Sequence, residues 1–448
     1  MTVPLSELTE KLLAAAKQAG ADAADAMAVR GTSQSIEVRG GNLEQAERAE
    51  GTDIGLRVFL GLRSASVAAS DLRDGAMYAM AEHAVAVARE APEDPYAGLA
   101  AEDEIAKAFD AAPLELHDPS PEPSPSDLQG DATRAEAAAK GVAGVSQVES
   151  ASAGYSAHDV HLSASNGFSG GYSRTDRGLY CVAISGTGTS MERDYDGDTR
   201  MHQSDLRSPD DIGQKAGERA AARAGATKPQ TGRFPVLFDE RVASSLIGHL
   251  LAATNGLSVA RGASWLRDAL GSDILPKQLS LHEDPHRPRA SGSRPFDAEG
   301  LSTQPRDIVA NGVLTGWTLD LATARKLGMR PTGNAGRGTS STPAPTTWNV
   351  ALTQGRQSQA ELLSDMCTGL LVTSLIGSTI NQNTGDYSRG ASGFWVENGE
   401  ITNPVNECTI AGNLRDMLLQ IVPANDARTH LSRVVPSLLV PEMTLAGK

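Results

Sequence analysis

Cysteine is scarce and scattered. Cys181, Cys367 and Cys408 are the three in 448 residues. They are odd in number and too far apart for a disulfide framework or a C-x-x-C knuckle, which fits a reducing cytoplasm. Runs of lysine and arginine are missing, and a net charge of −15 repels a phosphate backbone, so no direct nucleic-acid partner is expected. No stretch approaches the roughly 18 apolar residues that span a bilayer. The opening Met1-Thr2-Val3-Pro4 lacks the charged, apolar and cleavage regions of a signal peptide. A soluble cytoplasmic protein with no membrane partner is the expectation. Common ligand and nucleophile motifs are not convincing either: no nucleophile elbow of the G-x-S-x-G type and no P-loop stands out, and Gly186-Thr187-Gly188 lacks the third glycine and following helix of a dinucleotide site. No repeat occurs at solenoid or propeller periods.

What is present is chain enough for two domains. Leu8, Leu12, Leu13 and Ala16 fall at helical spacing between Leu5 and Gly20. Three short segments, 23–29, 35–39 and 54–59, are bounded by glycine and predict a strand meander. The alanine-rich run 72–90 predicts a helix that stops before Pro92. Pro113, Pro119, Pro121, Pro123 and Pro125 then mark an extended surface connection. A helix over 127–141 and alternating segments over 146–193, broken at Asn166-Gly167 and Gly170-Gly171, follow. Ser208-Pro209-Asp210-Asp211 supplies an N-cap, a proline at N1 and an acid at N3 for a helix to about Ala224.

This order gives an α+β class, with an α+β domain over 1–224, a boundary at 225–233 around Gly225, Pro229 and Gly232, and a β-rich domain over 234–448. In that second domain, 234–238 and 347–353 read as strands and 308–319 as a hairpin turning at Asn311-Gly312. Helices are expected over 241–253, over 359–367 behind the capping box Ser358-x-x-Glu361, and over 414–421.

Four patterns invite a chemical reading. His282-Glu283-Asp284-Pro285-His286 matches H-E-x-x-H, in which one helical face presents two imidazoles to zinc. Pro285 within it and Pro288 beyond it deny that helix, so the fixed i, i+4 alignment is lost. His158 and His161 sit at an odd separation that puts them on opposite faces of a strand, as surface polar residues. His249, alone on the predicted 241–253 helix, reads as packed or capped. Cys408 has no adjacent base in sequence and reads as a small buried apolar residue, with a nucleophile or thiolate ligand as the alternative.

The most specific stretch is Asn383-Thr-Gly-Asp-Tyr-Ser-Arg-Gly390, followed by Gly393-Phe-Trp-Val-Glu-Asn-Gly-Glu-Ile401. Gly385, Gly390 and Gly393 permit positive φ or close backbone approach, which predicts a tight surface loop feeding a strand. Asn398-Gly399 then predicts a type I′ turn between Phe394 and Val396 on one side and Ile401 on the other. Spacing alone also fits a plain sheet edge with a glycine-rich loop.

With Val38-Arg-Gly-Gly-x-Leu43-Glu, Glu50-Gly-Thr-Asp-Ile-Gly-Leu-Arg-Val58, Ser293-Arg-Pro-Phe-Asp297-x-Glu-Gly300 and Thr409-Ile-Ala-Gly-Asn-Leu414, that stretch resembles the TldD/PmbA family, in its PmbA (TldE) branch, across nearly the whole chain. The resemblance implies a mixed α/β N-terminal domain, a β-rich C-terminal domain and work in a cytoplasmic metalloprotease made with a TldD-like partner. The partner's zinc would sit on an H-E-x-x-x-H helix with a downstream cysteine. Set against that helix, this chain has Ser244 and Ser245 at the histidine and glutamate positions, and only His249 survives. A serine hydroxyl is a poor zinc ligand and no carboxylate base.

The resemblance therefore implies no catalytic residue, zinc or other cofactor in this subunit, with zinc in the partner. It implies a chamber wall that takes unfolded or modified peptides along a strand edge, and a homodimer in isolation. Asn383, Gly385, Asp386, Tyr387, Ser388 and Gly390, with Phe296 and Asp297, are the expected cleft residues; turn formation or subunit contact is the alternative role. Two other functions stand beside this one. A self-sufficient metallopeptidase would use His282 and His286, or His249 with Cys408. A regulator of DNA gyrase would follow the family's historical naming, and the acidic charge disfavours it.

Overall fold

The computed structural model describes residues 3–447, apart from the side chains of residues 378 and 379. Met1 and Thr2 of the N-terminal stretch considered above, and Lys448, lie outside the described residues. The N-terminal part runs α1 (Leu5–Gln18), β1 (Ala23–Arg39), β2 (Asn42–Leu60), β3 (Arg63–Ala69), α2 (Asp74–Glu90), α3 (Pro125–Lys140), β4 (Val145–Ala164), β5 (Ser169–Ser185), β6 (Glu192–Arg200) and α4 (Pro209–Ala222). Its strands form one antiparallel sheet of order β3-β2-β1-β4-β5-β6.

The caps legible in sequence set the helix starts. Ser208 Oγ accepts from the Asp211 amide, and Ser124 closes a capping box with Asp127 one turn into α3. Apolar helix faces then cover the sheet in two cores. Leu8 and Leu12 of α1 and Met77 and Ala81 of α2 pack on Ala26, Ile54 and Val58. Leu128 and Ala132 of α3 and Ile212 and Ala216 of α4 pack on Val148, Leu179 and Ala183. Each leucine so buried contributes about 1.5–3 kcal/mol.

The meander of short strands is corrected to a set of long ones. Gly31 and Gly51 do not end segments but face each other across β1 and β2, and Gly170 and Gly171 lie inside β5. A glycine whose neighbours are paired on both sides keeps its ladder bonds and need not break a strand. Residues 42–51, mostly polar, extend β2 although all are exposed, so no apolar alternation betrays them.

The C-terminal part is β-rich. It contains β7 (Gly232–Phe238), α5 (Glu240–Ala253), β8 (Gly369–Ile380), β9 (Asp386–Glu397), β10 (Glu400–Asn413) and β11 (Leu438–Ala446). The order β10-β9-β8-β7-β11 closes into a ring through pairing of β10 with β11. A five-stranded sheet of short strands, including Leu281–Glu283, Arg306–Ala310 and Val350–Leu352, packs beside it over a shared apolar core. The whole is α+β, with a mixed N-terminal region and a β-rich C-terminal one. Asn311-Gly312 and Asn398-Gly399 turn their hairpins with φ of 49° and 84°, and of 54° and 81°, as type I′ demands. The helices Gly256–Ala260 and Leu321–Leu327 were not anticipated, being too short to show a helical period.

Candidate functional site

The ring leaves one strand partly unpartnered. β7 pairs with β8 only over Leu370–Val372, because the chain turns into α5 at Asp239. Among the described residues, no strand lies on that side of β8 from Thr373 to Ile380. The first half of this open edge forms one wall of a cleft of about 960 Å³ between the two parts of the molecule. Val182, Met191 and Tyr195 of the N-terminal part line the facing wall. Ile376 is 70% exposed on the edge, and Met191 and Tyr195 are exposed opposite it. The Thr373 hydroxyl is buried there without a hydrogen-bond partner.

The far end of the same edge reaches α5. His249, Ala252, Ala263, Trp265, Ile380 and Gln382 line a second cavity of about 160 Å³. Tyr387 of β9 meets the His249 ring edge-on, with centroids 6.0 Å apart. Burial lowers the His249 pKa and the nearby Arg389 guanidinium lowers it further, so the imidazole is neutral. Burial pushes the Tyr387 hydroxyl up to about 12, so it is a neutral phenol.

The donors on α5 do not fit a zinc ion of the kind that the family resemblance places on the partner's corresponding helix. Ser245 shares a face with His249 four residues on, and its Oγ donates to the Val242 carbonyl at 2.7 Å. Cys408 is buried, its thiol donating to the Ala391 carbonyl at 3.1 Å, and burial pushes its pKa up to about 11. Among the described residues no three His, Cys, Asp or Glu side chains converge as metal ligands would.

The other histidines are accounted for locally. His282 is the exposed residue of the short strand Leu281–Glu283, with Nδ1 2.9 Å from Asp307 Oδ1. Glu283, the intended base of the literal zinc pattern, is buried and accepts from Arg306, Asn334 and the Trp348 amide. His286 bonds the Thr303 hydroxyl at 3.0 Å. His158 and His161 lie three apart on β4, but both are half-buried, and His161 Nδ1 bonds Thr9 Oγ1 of α1 at 3.0 Å. The expectation of surface residues is corrected there, because α1 covers that part of the sheet.

The candidate cleft residues divide into two places. Asn383 and Gly385 form a turn between β8 and β9, with Gly385 at φ 84° and its Cα side against the Trp265 ring. Asp386 ties that turn by accepting from Thr384 and Asn413. Tyr387, Ser388 and Gly390 belong to β9, so the loop is shorter than expected. Gly393 also lies in the strand, and close approach explains it: a Cβ there would stand 1.9 Å from the Leu371 carbonyl oxygen. Phe296 and Asp297 lie elsewhere. Phe296 is buried among Phe109, Phe168 and Tyr172, and Asp297 is buried accepting from the Glu299, Leu301 and Ala335 amides. Both sit in the joint between the two parts of the chain and offer no surface to a cleft. Arg389 and the open edge of β8 were not anticipated, and no strand was read over 370–376, where β8 lies.

The thiols give a direct check on this packing. Cys181 and Cys408 are buried and only Cys367 is exposed, with Cys181 pushed up to about 12 by burial. A maleimide at pH 7 is expected to modify one thiol rapidly in the native chain and three after denaturation, read by intact mass; rapid native labelling of Cys408 would contradict the packed site.

Comparison with known proteins gives a consistent answer. Residues 24–88, 118–224 and 231–447 match, in order, domain 1, the central domain and the C-terminal domain of the PmbA/TldA metallopeptidases. Metalloprotease PmbA of Escherichia coli O157:H7 is 39% identical over 429 residues, covering 95% of this chain and 93% of its own. A PmbA homologue of Haemophilus influenzae is 36% identical over 442 residues, covering 96% and 94%. A crystal structure from Bacteroides thetaiotaomicron, named for a candidate role as modulator of a DNA gyrase, shares 27% identity at a TM-score of 0.91, over 99% of this chain and 98% of that one. TldE of Thermococcus kodakarensis, at 20% identity and a TM-score of 0.85 over 98% and 99%, shares the fold. Since the matches to PmbA run nearly end to end and take in the helix that carries Ser244, Ser245 and His249, the chain belongs to the PmbA/TldD metallopeptidase family, in its PmbA (TldE) branch.

Proposed function

We propose that this chain is the zinc-free subunit of a cytoplasmic TldD/TldE-type metalloprotease, acting with a TldD-like partner on unfolded or modified peptides. The observation that carries the reading is the face of α5. Where a catalytic helix needs two imidazoles and a carboxylate, it has Ser244, Ser245 and one histidine whose Nε2 is buried without a partner. That set lacks the donors to hold a metal or the base to activate water. The zinc in this reading belongs to the partner.

The open edge of β8 supports the peptide-binding share of the work. An extended segment can add to such an edge by main-chain hydrogen bonds, which bind with little sequence preference. Ile376, Met191 and Tyr195 supply apolar contact on both sides.

Purified alone, the chain is expected to carry far less than one zinc per molecule and to leave an unfolded peptide intact, while co-expression with a TldD-like chain yields a complex that cleaves it. Stoichiometric zinc in the lone chain, with peptidase activity lost in His282→Ala, would overturn the reading.

A further inference from the structure

We propose that the cleft between the open edge of β8 and the N-terminal sheet selects extended peptides that carry a lysine or arginine and turns away acidic ones. This names the class of peptide, and it rests on the peptide-binding reading above.

Nothing in the sequence of the edge defends it. From Thr373 to Ile380 the strand has neither a charged residue nor a proline, the usual devices that keep a free edge from pairing. Ile376 is 70% exposed there instead, and Met191 and Tyr195, also exposed, line the same cleft. An undefended edge flanked by apolar side chains suits a strand supplied from outside. A single extended chain fits it better than a second copy of the protein, because the copy's own edge is recessed behind the same N-terminal wall.

The charge of the cleft chooses among peptides. Ile36 and Val38 on β1 pack into the core under α3 and α4, so alternation turns Glu37 to the opposite face of the sheet, where it lines the cleft. Among the described residues, Glu37 makes neither a hydrogen bond nor an ion pair. The three arginines that line the cleft are already met. Arg39 stands 3.4 Å from Glu44, Arg193 stands 3.3 Å from Glu149, and Arg223 is 3.5 Å from both Glu192 and Asp194. An incoming carboxylate therefore finds every guanidinium occupied and five acids in the walls, while an incoming cation finds Glu37 free. Side chains alternate along a strand added to β8, so those turned to the N-terminal wall meet Met191, Tyr195 and Glu37. A basic residue among apolar ones matches that wall.

The test is calorimetric titration of the full-length chain with three peptides, N-acetyl-Thr-Val-X-Val-Thr-amide with X as Lys, Gln or Glu. The lysine peptide is expected to bind tightest and the glutamate peptide about tenfold more weakly at low ionic strength, with the gap closing as salt is added. Methylating alternate backbone nitrogens of the lysine peptide should abolish binding, since it removes the main-chain donors that pair with the edge. Glu37→Gln should bring the lysine peptide down to the affinity of the glutamine one. Equal affinities for the three, a preference for glutamate, unchanged binding of the methylated peptide, or a lysine preference that survives Glu37→Gln would overturn the proposal. Binding that weakens as the protein concentration rises would give the edge to a second copy and overturn it too. The peptide series needs only the unmodified protein, so a variant that misfolds leaves it decidable. Binding without charge preference sinks this inference alone, whereas no binding of any peptide also removes the peptide-binding share of the function proposed above.

Discussion

Asp25→Ala will cost the protein about 3–5 kcal/mol, the loss expected when one partner is removed from a buried ion pair. Asp25 on β1 stands directly across from Arg57 on β2, whose Nε donates to its Oδ2 at 2.7 Å. Arg337 reaches over from the C-terminal part and brings Nη1 to 2.5 Å from the other carboxylate oxygen. All three side chains are almost fully buried. Burial raises the Asp25 pKa, but Arg337 and Arg57 outweigh it and hold the carboxyl below its ordinary range. Without that anion, two buried guanidiniums would be left facing each other's charge, with only the Glu299 carboxyl, 3.8 Å from Arg57, beside them.

The arm that carries Arg337 also seats on β2. A Cβ on Gly55 would stand 2.1 Å from the Thr339 carbonyl oxygen, so only glycine lets the arm lie down there. The expected result is a lower urea midpoint, with part of the loss recovered in Asp25→Ala/Arg337→Met because the second change removes a charge that the first left unpaired. A single-variant loss below about 1 kcal/mol, the range of exposed pairs, would show that this joint does not bear on stability.

Much of the architecture was legible because its signals are local. A serine before proline and acids marked α4, a serine three residues before Glu361 marked the helix Gln359–Met366, and Asn-Gly pairs marked two hairpins. Strand length was not local. Gly31 and Gly51 read as breaks until each is seen to face the other, and polar 42–51 gives no alternation because both its faces meet solvent. Acids were misleading in the same way: Asp194, Asp196 and Asp198 look like surface residues of β6, yet all are buried. Their partners come from elsewhere, Arg241 from α5, Arg219 from α4 and His430 from near the C-terminus.

The site shows the same division. That Ser244 and Ser245 of α5 offer neither an imidazole nor a carboxylate was readable on one helix. The meeting of His249 with Tyr387 needed the fold, since it joins the end of α5 to a strand far along the chain. Phe296 and Asp297 belong to a recognisable block, but the block packs the joint rather than the cleft.

Glu299 makes that joint sensitive to pH. The carboxyl is buried, and both burial and the neighbouring Asp297 raise its pKa, to about 8, against a smaller opposing pull from Arg57. Asp297 is raised as well, first by burial. The folded protein therefore holds a proton on Glu299 at neutral pH that the unfolded chain, with an ordinary glutamate, releases. Between about pH 4.5 and pH 8 the folded state binds more protons, so stability falls as pH rises through that window. The contribution is fully present below it and lost above it. At about 1.4 kcal/mol per pKa unit the change reaches up to ~5 kcal/mol.

Glu299→Gln keeps a neutral group that can still accept from the Leu321 amide, as Glu299 Oε2 does at 2.8 Å. The urea midpoint of the unmodified chain is expected to fall between pH 5 and pH 9, and that of Glu299→Gln to fall less and to be the higher of the two at pH 9. Parallel pH profiles would mean that Glu299 is already ionised in the folded state. Because Arg57 touches both Glu299 and Asp25, deprotonation strengthens one ion pair at Arg57 while placing a second charge beside Asp297. The expected fall of the midpoint therefore reports that burial and the charge beside Asp297 outweigh the pull from Arg57.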